Sequence, residues 1–216
     1  MCRVEEQSRL RELVASWFFR LNGCFTMPNF IIHPDSRRGY QGTDADILAV
    51  RFPFRCELQM SGKPMKDHEA FANSEKTDLV IAEVKRGLCD LNGPWTNPQK
   101  KNMQRVLFAV GAFTKTEIDE VADSVYSTNY YEDERFVLRL FAVGARLNDS
   151  LREKTVQITW DKDILPFIHH RFFTYRDYKQ NHHQWDYVGR CLFKYASENR
   201  AYESFAEIVK EWIDLD

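Results

Sequence analysis

Cysteines in a pairing pattern are missing from this sequence. The five present, Cys2, Cys24, Cys56, Cys89 and Cys191, are odd in number, widely spaced and never arranged as CxxC. That argues against a disulfide framework and a thiolate zinc site, and points to a reducing compartment, the cytoplasm. No apolar run approaches the length of a membrane span, and the opening MCRVEEQSRL is charged where a secretory signal needs an apolar stretch. We therefore expect no membrane association. Net charge is scarce too: 30 Lys and Arg against 32 Asp and Glu leave −2, with a pI near 6.3. Any contact with nucleic acid must then come from a local patch, for which Arg37–Arg38, Lys85–Arg86 and Lys100, Lys101 and Arg105 are the candidates. Internal repeats and low-complexity tracts are absent.

Apolar material is plentiful. In 216 residues, 44% hydrophobic and 14% aromatic content is enough for one well-filled core, and 29% charge keeps the outside soluble. Leu10, Leu13, Val14, Trp17, Phe18 and Leu21 repeat at helical spacing and predict an amphipathic first helix ending near Asn22-Gly23. CFTMPNFIIHP reads as a first strand, at an edge or bulged because of its proline, and DILAVRF as a second, stopped by Pro53. Residues 56 to 76 predict an extended connection or a short hairpin. TDLVIAEV, apolar almost throughout, predicts a strand covered on both faces at the centre of a sheet.

A loop at GLCDLNGPWTNP, a helix with Met103, Val106, Leu107, Val110 and Phe113 on one side, and a second helical stretch TEIDEVADSVY come next. RFVLRLFAVGAR and TVQITW read as two further strands, and helical, aromatic segments fill the C-terminal region. The order predicts an α/β domain with a mixed central sheet, residues 1–160 forming a core and 161–216 a helical, aromatic-rich extension packed on it.

The chemistry gathers on the two most apolar strands. Asp44 and Asp46 stand at the start of one, Glu83 and Lys85 at the end of the other. If the strands are antiparallel neighbours, start lies beside end, and side chains two apart share a face. Two carboxylates and an ammonium would then meet at one edge of the sheet, a donor set suited to Mg2+, which takes one or two carboxylates and keeps several waters. Alone, Asp44 and Asp46 would read as turn residues, and Glu83 with Lys85 as a surface charge pair; the apolar residues around Glu83 predict burial instead.

Asp46-Ile-Leu-Ala-Val, followed about three dozen residues later by Ile-Ala-Glu83-Val-Lys85, resembles the (P)D…(D/E)xK signature of restriction-endonuclease-like nucleases, and the DILA and EVK strings are similar to those of archaeal Holliday-junction resolvases. The resemblance covers roughly residues 5 to 145. It implies an αβββαβ core with a helical C-terminal extension, Asp46 and Glu83 as ligands of Mg2+ (Mn2+ substituting), Lys85 beside the attacking water, and DNA as the substrate, with RNA left open. The proline that usually precedes the aspartate is replaced by Ala45. Asp46 abuts the apolar strand as relatives do, and is preferred to Asp44. Relatives often carry a further glutamate on the first helix; Glu6 falls on the predicted buried stripe and Glu12 opposite it, and the sequence does not choose. Gln104 and Phe108 resemble a QxxxY pattern that would add Gln104 to the catalytic set, with Lys100, Lys101 and Arg105 on phosphates.

Other features carry less. His169-His170 and His182-His183 fit neither HExxH nor zinc-finger spacing and read as surface or aromatic-packed residues. The C-terminal aromatics predict core; the alternatives are stacking platforms for bases, with Arg171, Arg176 and Lys179 interleaved among them, and a contact surface for a second copy or a partner protein. The rival to an enzyme is a nuclease-like fold serving as a nucleic-acid-binding or assembly subunit.

Overall fold

The helical spacing of Leu10 to Leu21 forms a helix, α1 (Cys2–Leu21), in the computed structural model, which describes residues 2–33, 43–72, 75–179 and 185–215. Arg37, Arg38, His182 and His183 lie outside the described residues, as does the side chain of Asp44. The helix stops where Gly23 takes φ +82°, a left-handed conformation that glycine adopts without a steric penalty.

Strands β1 (Phe25–Ile32), β2 (Thr43–Arg51) and β3 (Thr77–Val84) form an antiparallel meander. The chain then runs through α2 (Gly93–Thr96), α3 (Asn102–Val110), α4 (Ile118–Thr128) and the short strand β4 (Tyr130–Glu132) into β5 (Phe136–Gly144) and β6 (Val156–Thr159). β5 lies parallel to β3, giving the order β1-β2-β3-β5-β4; β6 pairs with β5 beyond the stretch that β4 occupies. A π-turn (Trp160–Ile164) leads to α5 (Leu165–Thr174), α6 (Arg176–Lys179), α7 (Tyr187–Glu198) and α8 (Tyr202–Ile213). The architecture is α/β with a mixed, open central sheet.

Two readings of the sequence need correction, and one alternative left open is decided. β4 was not expected, since three residues are too few to show an alternation. The described part of residues 56–76 forms two 3-10 turns, Gln59–Ser61 and Glu69–Phe71, and no hairpin. β1 is an edge strand, as its proline suggested, but its register against β2 is constant, so it is not bulged.

The continuous apolar run of β3 is explained by its neighbours. Leu79 and Ile81 join Leu138, Leu140 and Ala142 beneath α3 and α4; Val80, Ala82 and Val84 join Ile47, Ala49, Phe141 and Val143 on the other face, beneath α1. α5, α7 and α8 pack on α1 from its far side, sharing that second core. A helix held between a sheet and a helical layer is buried all round. Here lies the reason the single-stripe reading of α1 misassigns its acids: Glu6 is exposed and Glu12 is buried. His169 stacks on Phe173 and packs against Phe205, as an aromatic-packed histidine should. Among the described residues no helix is long and apolar enough to cross a membrane.

Candidate functional site

β2 and β3 are antiparallel, and their last paired residues are Ile47 and Ala82. One further step would set Asp46 opposite Glu83. At that step the ladder gives way: the Asp46 carboxylate accepts the Val84 backbone N–H at 2.7 Å. The pairing of β1 with β2 skips the same residue, passing from Pro28–Ile47 to Phe30–Ala45 around Asn29, whose φ is +53°. Asp46 therefore stands at a break in the ladder on both sides, with its side chain bonded to β3.

Glu83 alternates with Ile81 and Leu79 on the face beneath α3 and α4, paired with Ala142 of β5, and is 1% exposed. A carboxylate so deep needs donors, and three are supplied. Its Oε1 accepts from Lys85 Nζ at 2.6 Å and from Asn92 Nδ2, and its Oε2 accepts from Trp95 Nε1 at 2.8 Å. Burial first, and then the charge of Asp46, push Glu83 up to about 7, against the pull of Lys85 and Trp95. Lys85 completes the cluster with its side chain 30% exposed, so the ammonium reaches solvent while the carboxylate does not.

The backbone of Lys85 is held from two directions. Its N–H donates to Val143 O at 2.9 Å, and its carbonyl accepts from Trp160 Nε1 at 3.1 Å. Trp160 opens the π-turn that leads into the C-terminal helices, so that region is tied directly to the site. Asp214, just past α8, pairs with Arg86 at 3.0 Å and approaches Arg11 at 3.9 Å. Glu12 is next to Arg11 on α1 and accepts from Ser8 Oγ at 3.3 Å, so this end of α1 lies toward the Lys85 end of β3.

A tight crossing returns the chain to Glu83. Gly87 O accepts the N–H groups of Ala145 and Arg146, and Cys89 N–H donates to Arg146 O at 2.8 Å. The crossing needs glycine at 144: a Cβ there would stand 2.6 Å from Cys89 N and 2.8 Å from Gly87 O. Buried Cys89 and Leu91 then anchor the loop, and α2 begins with Asn92 just before it and Trp95 inside it.

The structure thus brings together Asp46, Glu83 and Lys85. It places the α3 residues differently. Gln104 is half-buried with an Oε1 that has no hydrogen-bond partner, and it makes no bond to Glu83 or Lys85. Lys100 and Lys101 are exposed at the start of α3. Arg105 closes that helix start, donating to Lys100 O at 2.6 Å and Asn102 Oδ1 at 3.3 Å. α3 packs against α2, the element that carries Trp95.

Chemically, the cluster offers two carboxylates and one ammonium, an anionic balance with hard oxygen donors. Such a set suits a small divalent cation that retains waters. Among the described residues no group of three or more His, Cys, Asp or Glu is arranged to hold a metal ion. Of the described side chains, those of Asp46 and Glu83 are the ones a cation here would rest on.

Asn92 and Trp95 were not singled out from the sequence, and Trp160 was read only as one of the C-terminal aromatics. The available signal was weak: a tryptophan in a loop rich in Gly, Asn and Pro has an indole N–H that needs a partner once buried. Comparison with models of known families, with curated proteins and with solved structures finds no match.

Proposed function

We propose that this chain is a divalent-metal-dependent nuclease of the PD-(D/E)xK type that hydrolyses phosphodiester bonds of DNA, working in the cytoplasm in defence, repair or a mobile element. One observation carries the reading: Asp46 bonds to Val84, 38 residues away, at the same sheet end where Glu83 and Lys85 sit bonded to each other. The element order, a helix, three antiparallel strands, helices and a parallel fourth long strand, is compatible with the restriction-endonuclease-like core.

Asp46 and Glu83 would hold Mg2+ or Mn2+. The donor set fits, since magnesium takes one or two carboxylates and leaves its other positions to water and phosphate oxygen. A bound ion supplies a water of lowered pKa and neutralises charge building on the phosphoryl oxygens. The chain's own residues do the rest. Lys85, held by Glu83 at 2.6 Å, donates to the attacking water and to the phosphoryl oxygen where charge grows. As the water oxygen bonds to phosphorus it gives up one proton to bulk water, the bond to the leaving ester oxygen breaks, and that oxygen takes up one proton from bulk water. Lys100 and Lys101, exposed just before α3, would contact backbone phosphates, with Arg105 and Gln104 in supporting positions on the helix itself.

A second reading, a nuclease-like fold used as a nucleic-acid-binding or assembly subunit, draws on the Glu83 carboxylate being satisfied by three protein donors without an ion. Its C-terminal face would contact a second copy or a partner protein. Plasmid, single-stranded DNA and RNA incubated with Mg2+, with Mn2+ and with chelator separate the two. The nuclease reading expects metal-dependent cutting, lost in Asp46→Ala and reduced about 10²–10³-fold in Lys85→Ala. Folded protein that cuts none of the three substrates supports the second.

A further inference from the structure

We propose that Asn92 and Trp95 are positioning residues that aim the Glu83 carboxylate, so that a small divalent cation meets it through Oε2 alone. The inference rests on the metal-dependent reading above. An ionised carboxylate has about four lone-pair directions. On Glu83 three are taken: Lys85 and Asn92 occupy Oε1, and Trp95 takes one direction on Oε2. The direction that remains is on Oε2, and a cation bound there is held by a single oxygen, as Mg2+ prefers.

The placement of the two donors points the same way. Asn92 occupies the residue before α2, where an asparagine ordinarily accepts a hydrogen bond from the helix's first N–H groups. It makes no such bond; its amide turns to Glu83 although the residue itself is exposed. The amide nitrogen must face the carboxylate, because the reversed amide would oppose two acceptors. Trp95 is 1% exposed, and its indole N–H goes to the same side chain. Neither donor belongs to the Glu83 strand, and both arrive on the loop that crosses Gly144. Donors of this kind, one bond removed from a ligand, typically change metal affinity by about 10–100-fold.

The test uses the indole N–H signals of the five tryptophans in 15N-labelled protein, the Trp95 signal being identified by its loss in Trp95→Phe. Titration with Mg2+ should move the Trp95 signal saturably and leave Trp17 and Trp212 unmoved. Calorimetry with Mn2+ should show affinity reduced about 10–100-fold in Trp95→Phe, reduced more modestly in Asn92→Ala, and lost in Glu83→Gln. Affinity in both Asn92→Ala and Trp95→Phe within about twofold of the native protein, with binding still lost in Glu83→Gln, overturns the positioning role and leaves the metal site standing. Absence of saturable Mn2+ binding to the native protein sinks the metal reading and this inference together. If Trp95→Phe fails to fold, the exposed Asn92→Ala and the indole titration of the native protein decide.

Discussion

Asp46 and Val84 are joined by a side-chain hydrogen bond of 2.7 Å just where the backbone ladder between their strands ends. The carboxylate replaces a rung and is thereby held beside Glu83. Asp46→Asn retains an acceptor for the Val84 N–H and should stay close to native stability while losing cleavage. Asp46→Ala leaves that N–H without its partner and should cost about 1–3 kcal/mol as well. Urea unfolding of the two variants, alongside a plasmid-nicking assay, measures the difference.

Glu83 makes the metal-free protein sensitive to pH. Its folded value of about 7 lies above the ordinary 4.5, so the folded state holds the proton more tightly than the unfolded chain does. Stability should be fullest below pH 4.5 as far as this group is concerned, fall as pH rises through the interval to 7, and level off above it. Thermal melts in chelator between pH 5 and 8 should show that decline, and Glu83→Gln should flatten it. A melting temperature rising over this range in the native protein, with no difference from Glu83→Gln, would contradict the assignment.

Gly144 is where β5 lets the loop cross. Gly144→Ala would force a Cβ to 2.6 Å from Cys89 N, against backbone that has no flexible end to give way. We expect a loss of about 1–3 kcal/mol together with displacement of Asn92 and Trp95. Chemical denaturation reports the first, and a shift of the Trp95 indole N–H signal reports the second.

Arg171 carries a further consequence of the packing. It is 1% exposed, donates to Leu21 O at 2.9 Å and Lys66 O at 2.6 Å, and pairs with Asp67 at 3.4 Å. It thereby joins α5 to the end of α1 and to the segment before Glu69–Phe71. Arg171→Leu strips those carbonyls of a donor and should destabilise by roughly 3 kcal/mol. Arg176→Ala, at an exposed residue whose guanidinium donates to Phe173 O three residues back and lies over the Phe173 ring, should stay within about 0.5 kcal/mol in the same urea titration.

Much of the scaffold is legible in the chain itself. The 3.6-residue spacing of Leu10 to Leu21 and the glycine after it mark α1 and its end. The unbroken apolar run from Leu79 to Val84 identifies a strand covered on both faces. Period-two alternation puts Glu83 and Lys85 on one side, and in the structure they are bonded at 2.6 Å. β4 was illegible because three residues show no period. The acids of α1 were misread because a one-sided stripe assumes a single neighbouring layer, and α1 has two.

Sequence alone thus determined the long helices and strands and which side chains share a strand face, because dihedral periodicity is a property of neighbouring residues. Only the tertiary structure decided that Asp46 bonds to Val84, that Asn92 and Trp95 turn to Glu83, and that Trp160 holds the Lys85 carbonyl. Those contacts join residues 9 to 75 positions apart. They exist because a buried carboxylate or carbonyl must find its donors wherever strand pairing, a glycine crossing and helix packing bring them.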